Sequence, residues 1–257
     1  MIRKHIKRKF KLQLPANGIQ STGLESISMD KPLDKKDFKN KDSAFVINDE
    51  GNATLCMIHQ EDGQPYMFPI PDLTLIYFTQ AQSNIKDIQV YKNELLTKSA
   101  IAKIQTESST NEFYQFYGAA AAAIIFLSTA LESFINQSIP ENFIFRQANG
   151  QKKCIEEYDH EQIQRFLSTD SKIKNVMPSI YKKDFYKIQN KNTLNIDSLK
   201  RLRDEIIHTK IVKNEMHHGV IKKLLAFNYD GALQSVAVFM NFYNPNYIIE
   251  CDCGLDF

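Results

Sequence analysis

The chain has 257 residues, 43% of them hydrophobic and 24% charged, with 32 basic against 30 acidic side chains and a formal net charge of +2. These values suit a soluble protein of one large domain, or one domain with a small accessory module, and exclude a uniformly basic chain. The charge is segregated: residues 1–42 hold 11 basic against 5 acidic residues, +6, which leaves −4 for the remainder.

The N-terminal run Arg3, Lys4, Lys7, Arg8, Lys9 and Lys11 has the charge of a signal-peptide start, but Leu-Gln-Leu-Pro follows it in place of an apolar core, so secretion is not expected. With Phe10 interleaved, Arg3, Lys4, Lys7, Arg8 and Lys9 are candidate contacts to a phosphate backbone; a solvated strand or tail is the alternative. Residues 12–42 are polar and turn-rich, and 1–42 together read as a basic arm or linker.

Short β-like runs follow at 43–48, 53–59, 65–69 and 73–79, separated by Asp49-Glu50-Gly51-Asn52 and Glu61-Asp62-Gly63. They predict a small antiparallel β module over 43–84. From 85 onward the pattern is helical, with a helix near 92–106 and a long one over 111–138. In the long one, Phe113, Phe116, Tyr117, Ala120, Ile124, Leu127, Leu131, Phe134 and Ile135 recur every three or four residues.

The longest apolar run, 118–127, is about half of what a bilayer requires and reads as a buried helix, so no membrane span is expected. Shorter helices are predicted near 160–167 and 171–176, with Pro178 as a breaker. Another starts at Asp197 or Ser198 as N-cap, with Leu199, Leu202 and Ile206 on its buried face. The last runs over 229–243 and stops at Asn244-Pro245. The fold class is mainly α (α+β), an antiparallel helical bundle over 85–257 preceded by the β module.

Four scattered cysteines, Cys56, Cys154, Cys251 and Cys253, fit a reduced, cytoplasmic compartment. His217 and His218 with Cys251 and Cys253 have zinc-ligand chemistry but not the spacing of a structural site, so no metal and no other cofactor is expected.

The most informative stretch is Leu199-Lys200-Arg201-Leu202-Arg203-Asp204-Glu205-Ile206-Ile207-His208. A fixed cation near a titratable imidazole suits phosphodiester chemistry, one group holding phosphate charge while the other moves protons. On a helix Lys200, Asp204 and His208 share a stripe, whereas Arg203 lies about 140° round from His208. The pair therefore converges on one phosphate through a distorted helix end or through a second copy of the helix. The plainer alternative makes Arg203 and Asp204 a solvated face and His208 a cap on the helix dipole. Glu132 and Asn136, one turn apart in an apolar helix, are secondary candidates that could position Arg203 or His208; polar edge positions are the commoner role.

The run from Leu202 to His208 resembles the Arg-x4-6-His signature of the HEPN superfamily, which usually has a polar residue directly after the arginine, here Asp204. The long helix with Ser128-Thr129-Ala130-Leu131-Glu132-Ser133, and the closing helix to Pro245, resemble helices of that family, so the resemblance spans roughly 85–245. It implies a helical bundle dimerising through the signature helix and, in active members, a metal-independent endoribonuclease. Carried onto this chain, His208 is the acid or base, Arg203 stabilises the phosphorane and Asp204 orients the histidine; Lys200, on the stripe of Asp204 and His208, is a candidate RNA contact. Such proteins act as toxins or phage-defence effectors, sometimes with a nucleotidyltransferase-like antitoxin partner. Lys210 stands where the toxin subgroup has a regulatory tyrosine. A non-catalytic dimeric scaffold binding RNA or a partner protein remains the alternative.

Overall fold

A computed structural model describes residues 6–7, 9–11, 13–15, 38, 41–47, 51–100, 108–149, 154–188, 190–208 and 216–250. The chain divides into two compact units, one of residues 8–73 and one of residues 1–7 with 74–257.

The smaller unit is a four-stranded antiparallel sheet built on one long strand. Strand β3 (Asn52–Glu61) pairs along one edge with β2 (Ser43–Ile47) and along the other with β1 (Gln13–Pro15) and β4 (Gln64–Pro69). The β3–β4 turn is the two-residue Asp62-Gly63, with φ of 50° and 71°. Positive φ at both positions is what a twisted two-residue hairpin demands, and Asp-Gly supplies it at low cost. Part of the segment expected to be an arm is thus structured: Gln13–Pro15 is a strand and Ile6 belongs to the core of the other unit. Residues 16–37 lie outside the described residues.

The expected strand over 73–79 is instead the start of helix α1 (Leu73–Lys98), so the β module ends about ten residues earlier than the sequence suggested. Leu-Thr-Leu-Ile-Tyr-Phe-Thr has β propensity, but Leu75, Phe78, Ala81, Gln82, Ile85 and Ile88 form one buried helical face. Burial of that face outweighs the local preference.

Helix α2 (Ser108–Gln137) runs through the core of the larger unit, with Phe116, Ala120, Ile124, Leu127, Leu131, Phe134 and Ile135 buried as the periodicity predicts. Among the described residues it is the one helix long and apolar enough to cross a membrane. Its inner face packs into the same cluster as Phe239, Val236, Leu199 and Leu202.

After α2 comes a hairpin absent from the sequence reading, β5 (Phe145–Asn149) paired with β6 (Cys154–Tyr158). Helix α3 (His160–Phe166) opens with a capping box between Asp159 and Gln162. Next, α4 (Thr169–Ser171), a π turn (Lys172–Val176) and α5 (Met177–Tyr181) join into one rod. Pro178, expected to break the chain, is accommodated: a proline has no N–H for the ladder and clashes with the carbonyl four residues back, and the wider π turn before it relieves both demands.

Helices α6 (Phe185–Ile188), α7 (Asn190–Ile207), α8 (Met216–Ala226) and α9 (Tyr229–Tyr243) complete the bundle. Helix α7 starts seven residues before the expected N-cap, and Asp197 is interior to it. Asn192 and Asn195 are weak helix formers, but both bond across to α9: Asn195 Nδ2 donates to Ser235 Oγ at 2.9 Å, and Ser235 Oγ donates to Asn192 Oδ1 at 3.0 Å. Those tertiary bonds and the burial of Thr193 and Ile196 extend the helix backwards. The larger unit is mostly helical, with its core between α1, α2, α7 and α9.

Candidate functional site at the end of helix α7

Helix α7 is fixed on three sides. Ile196, Leu199 and Leu202 are at most 4% exposed and face the core. Asn195 bonds to α9, and Asp197 Oδ1 accepts from Tyr186 OH at 2.9 Å and from Lys200 Nζ at 3.1 Å. A helix held this firmly presents its last turn in a defined orientation, as a catalytic group requires.

At that last turn the His208 N–H donates to the Asp204 carbonyl at 2.9 Å, continuing the helical ladder one residue beyond Ile207. His208 itself is exposed. Arg203 is partly exposed, and its Nη1 donates to Asp204 Oδ1 at 2.9 Å. The carboxylate that the resemblance assigns to the histidine is therefore engaged by the arginine in a single chain. Because the ladder stays regular up to His208, the separation of about 140° between Arg203 and His208 persists.

Lys200 is turned away from solvent. Its ammonium forms ion pairs with Asp170 of α4 and Asp197, and burial pulls its pKa down from 10.5 to about 8, opposed by the charge of Asp204. In this arrangement it ties α7 to α4. Of the basic residues near the N-terminus, Lys7 is exposed and its N–H donates to Ile249 O at 3.0 Å, while the Lys9 carbonyl accepts from Asp72 N–H at 3.1 Å. Arg3, Lys4 and Arg8 lie outside the described residues.

Glu132 and Asn136 are brought together around Lys172 in the π turn. Lys172 Nζ donates to Asn136 Oδ1 at 3.0 Å and to Gln164 O at 2.8 Å, and lies 3.6 Å from Glu132 Oε1. The lysine side chain is 1% exposed, and burial lowers its pKa against the pull of Glu132. This buried cation was not foreseen from the sequence; the polar pair Glu132 and Asn136 on an apolar helix was its only trace.

The other overlooked group is Arg201. It stands seven residues before His208, about 20° away on the helix and two turns down, so it shares the histidine's stripe more closely than Lys200 or Arg203 does. It borders a cleft of about 500 Å³ between α7, α8 and the start of α9. Among the described residues no group of three or more His, Cys, Asp or Glu side chains could hold a metal ion. The His217 side chain, Cys251 and Cys253 lie outside the described residues.

Comparison with known proteins finds no matching family, no matching curated protein and no matching solved structure.

Proposed function

We propose that this chain is a cytoplasmic, homodimeric endoribonuclease of the HEPN type, acting as a toxin or in phage defence. The observation that carries the reading is the exposed His208 at the end of a helix held on three sides, with Arg203 on the same last two turns. A mostly helical unit in which α7 packs beside α2 and α9 is consistent with an HEPN-like bundle.

In the reaction, the 2′-hydroxyl of the substrate ribose gives its proton to the imidazole of His208. The 2′-oxygen attacks the adjacent phosphorus, the bond from phosphorus to the 5′-oxygen breaks, and that oxygen takes up a proton from water. Arg203 neutralises the charge that builds on the phosphorane oxygens. The products are a 2′,3′-cyclic phosphate and a 5′-hydroxyl. Since Arg203 and His208 diverge on one helix, the working cleft combines two copies of α7, each contributing both residues. An antitoxin or other defence partner would hold this activity in check.

Purified full-length protein should cleave single-stranded RNA in EDTA, and His208→Ala and Arg203→Ala should each lower the rate at least about a hundredfold. Activity that requires an added divalent metal, or that survives both substitutions, sinks the reading.

One observation favours a second reading, a non-catalytic scaffold for RNA or a protein partner: the Arg203 guanidinium is already paired with Asp204. Dimerisation and RNA binding without any turnover would select it.

A further inference from the structure

The geometry points to a second binding element on the same helix: the cleft between α7 and α8 is a nucleotide subsite, in which Arg201 holds a backbone phosphate of single-stranded RNA and Phe227 carries a stacked base. The choice of RNA as ligand rests on the function proposed above; the cleft and its charge are independent of it.

The cleft is open to solvent and has a volume of about 500 Å³, within the range of pockets that take small organic ligands. Its charges are unequal. Lys223 Nζ on α8 donates to both oxygens of Glu205 on α7, at 2.6 and 2.7 Å, so this cation and anion cancel each other where they join the two walls. Arg201, on the same lining, has no carboxylate partner among the described residues. The net charge offered by these groups is a single exposed guanidinium, which matches the single negative charge of a phosphodiester and its planar pair of acceptor oxygens.

The apolar part of the lining supplies the other half of a nucleotide. Phe227, half-buried with part of its ring packed on the core, borders the cleft beside Leu202 and Ala226. Its ring is steadied by an edge-to-face contact with Tyr229, centroids 5.0 Å apart, and Tyr229 is itself anchored by donating its hydroxyl to Leu224 O at 2.8 Å. A ring held in this way loses little freedom when a base stacks on it, which is how single-stranded nucleic acid is bound without sequence choice. Asn228, at the rim, is occupied in capping α9 by accepting from Gly231 N–H at 2.9 Å, so it keeps the rim in shape.

Position ties the cleft to the proposed chemistry. Arg201 and His208 lie on one stripe about 10 Å apart along the axis. A strand whose scissile phosphate sits at His208 thus has a neighbouring nucleotide within reach of Arg201.

The test uses full-length protein and a fluorescently labelled single-stranded oligoribonucleotide with every 2′-hydroxyl methylated, which can bind but cannot be cleaved. Arg201→Gln is expected to weaken binding at least tenfold and to reduce the log–log salt slope by about 0.7, the value for one lost phosphate contact on a single strand. Arg201→Lys should restore much of both.

Phe227→Leu should weaken binding by roughly fivefold or more with the salt slope unchanged, and should have no effect on an abasic version of the probe. Because Phe227 packs against Tyr229, each variant's thermal melt is compared with that of the parent, and the abasic probe separates loss of stacking from loss of fold. Wild-type affinity and slope in Arg201→Gln, or no binding of the probe by the parent protein, overturns the subsite. Cleavage of unmodified RNA in EDTA is read in parallel. Cleavage with Arg201-independent binding removes the subsite and leaves the nuclease, whereas Arg201-dependent binding without cleavage supports the subsite and removes the nuclease.

Discussion

Lys172 Nζ donates to Asn136 Oδ1 across 3.0 Å, joining the π turn to the long core helix α2. The lysine is 1% exposed and also donates to Gln164 O, with Glu132 3.6 Å away. A buried ammonium is tolerable only while its donors are met, so the cost of losing one acceptor exceeds the worth of an ordinary hydrogen bond. Asn136→Ala should destabilise the protein by about 1–3 kcal/mol, whereas Lys172→Met, which removes the charge and keeps most of the volume, should cost less. Chemical denaturation checks both, and an Asn136→Ala loss below about 0.5 kcal/mol would show that the bond is not stabilising.

Lys200 makes the stability of the bundle depend on pH on the alkaline side. Its folded pKa is about 8, below the ordinary 10.5, so the unfolded chain binds more protons between these values. Stability from this group therefore rises as pH passes from about 8 towards 10.5, once the cost of burying the charged form is relieved. Tyr243, raised to about 12 by burial, works the other way above about pH 10, because only the unfolded chain then loses the phenol proton. The Cys56 thiol, pushed up by burial, opposes this in the same range, so the contribution of Lys200 is read as a difference: the change in denaturation midpoint from pH 7.5 to 9.5 should be more favourable to 9.5 in the parent than in Lys200→Met. An equal change in the two proteins would rule out Lys200 as a source.

For RNA cleavage, His208→Ala is expected to lower the rate by about 10²–10⁴ and Arg203→Ala by about 10²–10³. Because the two side chains diverge on one helix, mixing the two inactive variants should restore part of the activity through dimers that combine one intact histidine with one intact arginine. Failure of the mixture to recover, with heterodimers present by native mass spectrometry, would place each working pair within one chain.

Asp204→Asn separates two roles of that carboxylate. Its pairing with Arg203 at 2.9 Å predicts that neutralising it frees the guanidinium and tightens RNA binding, so KM falls and kcat drops by less than about tenfold. A hundredfold loss in kcat at constant KM would instead assign Asp204 to orienting His208.

Leu199 is fully buried on the inner face of α7. Leu199→Ala should cost about 2–5 kcal/mol and lower the yield of folded protein without touching the last turn. Full stability in this variant would contradict the packing of α7 against the core.

Much of the architecture was legible in local patterns. Periodic apolar positions located α2 and α9, because a helix buried on one face repeats its hydrophobic residues every three or four positions. Asp62-Gly63 located the β3–β4 hairpin, because few residues adopt positive φ twice in succession. The arginine and histidine of α7, and the stripe relations between them, also follow from sequence and helical geometry alone.

What required the tertiary structure was everything set by partners distant in the chain. The segment 73–79 is helical because its buried face belongs to a longer one, and α7 begins at Asn190 because α9 satisfies its asparagines. Pro178 sits inside a rod because a π turn makes room for it. Glu132 and Asn136 meet a buried lysine 36 to 40 residues away, Lys200 meets Asp170, and Arg201 is left as the cation beside the cleft. Spacing along one helix states which side chains share a face; which of them is neutralised and which stays open is decided by the elements packed around it.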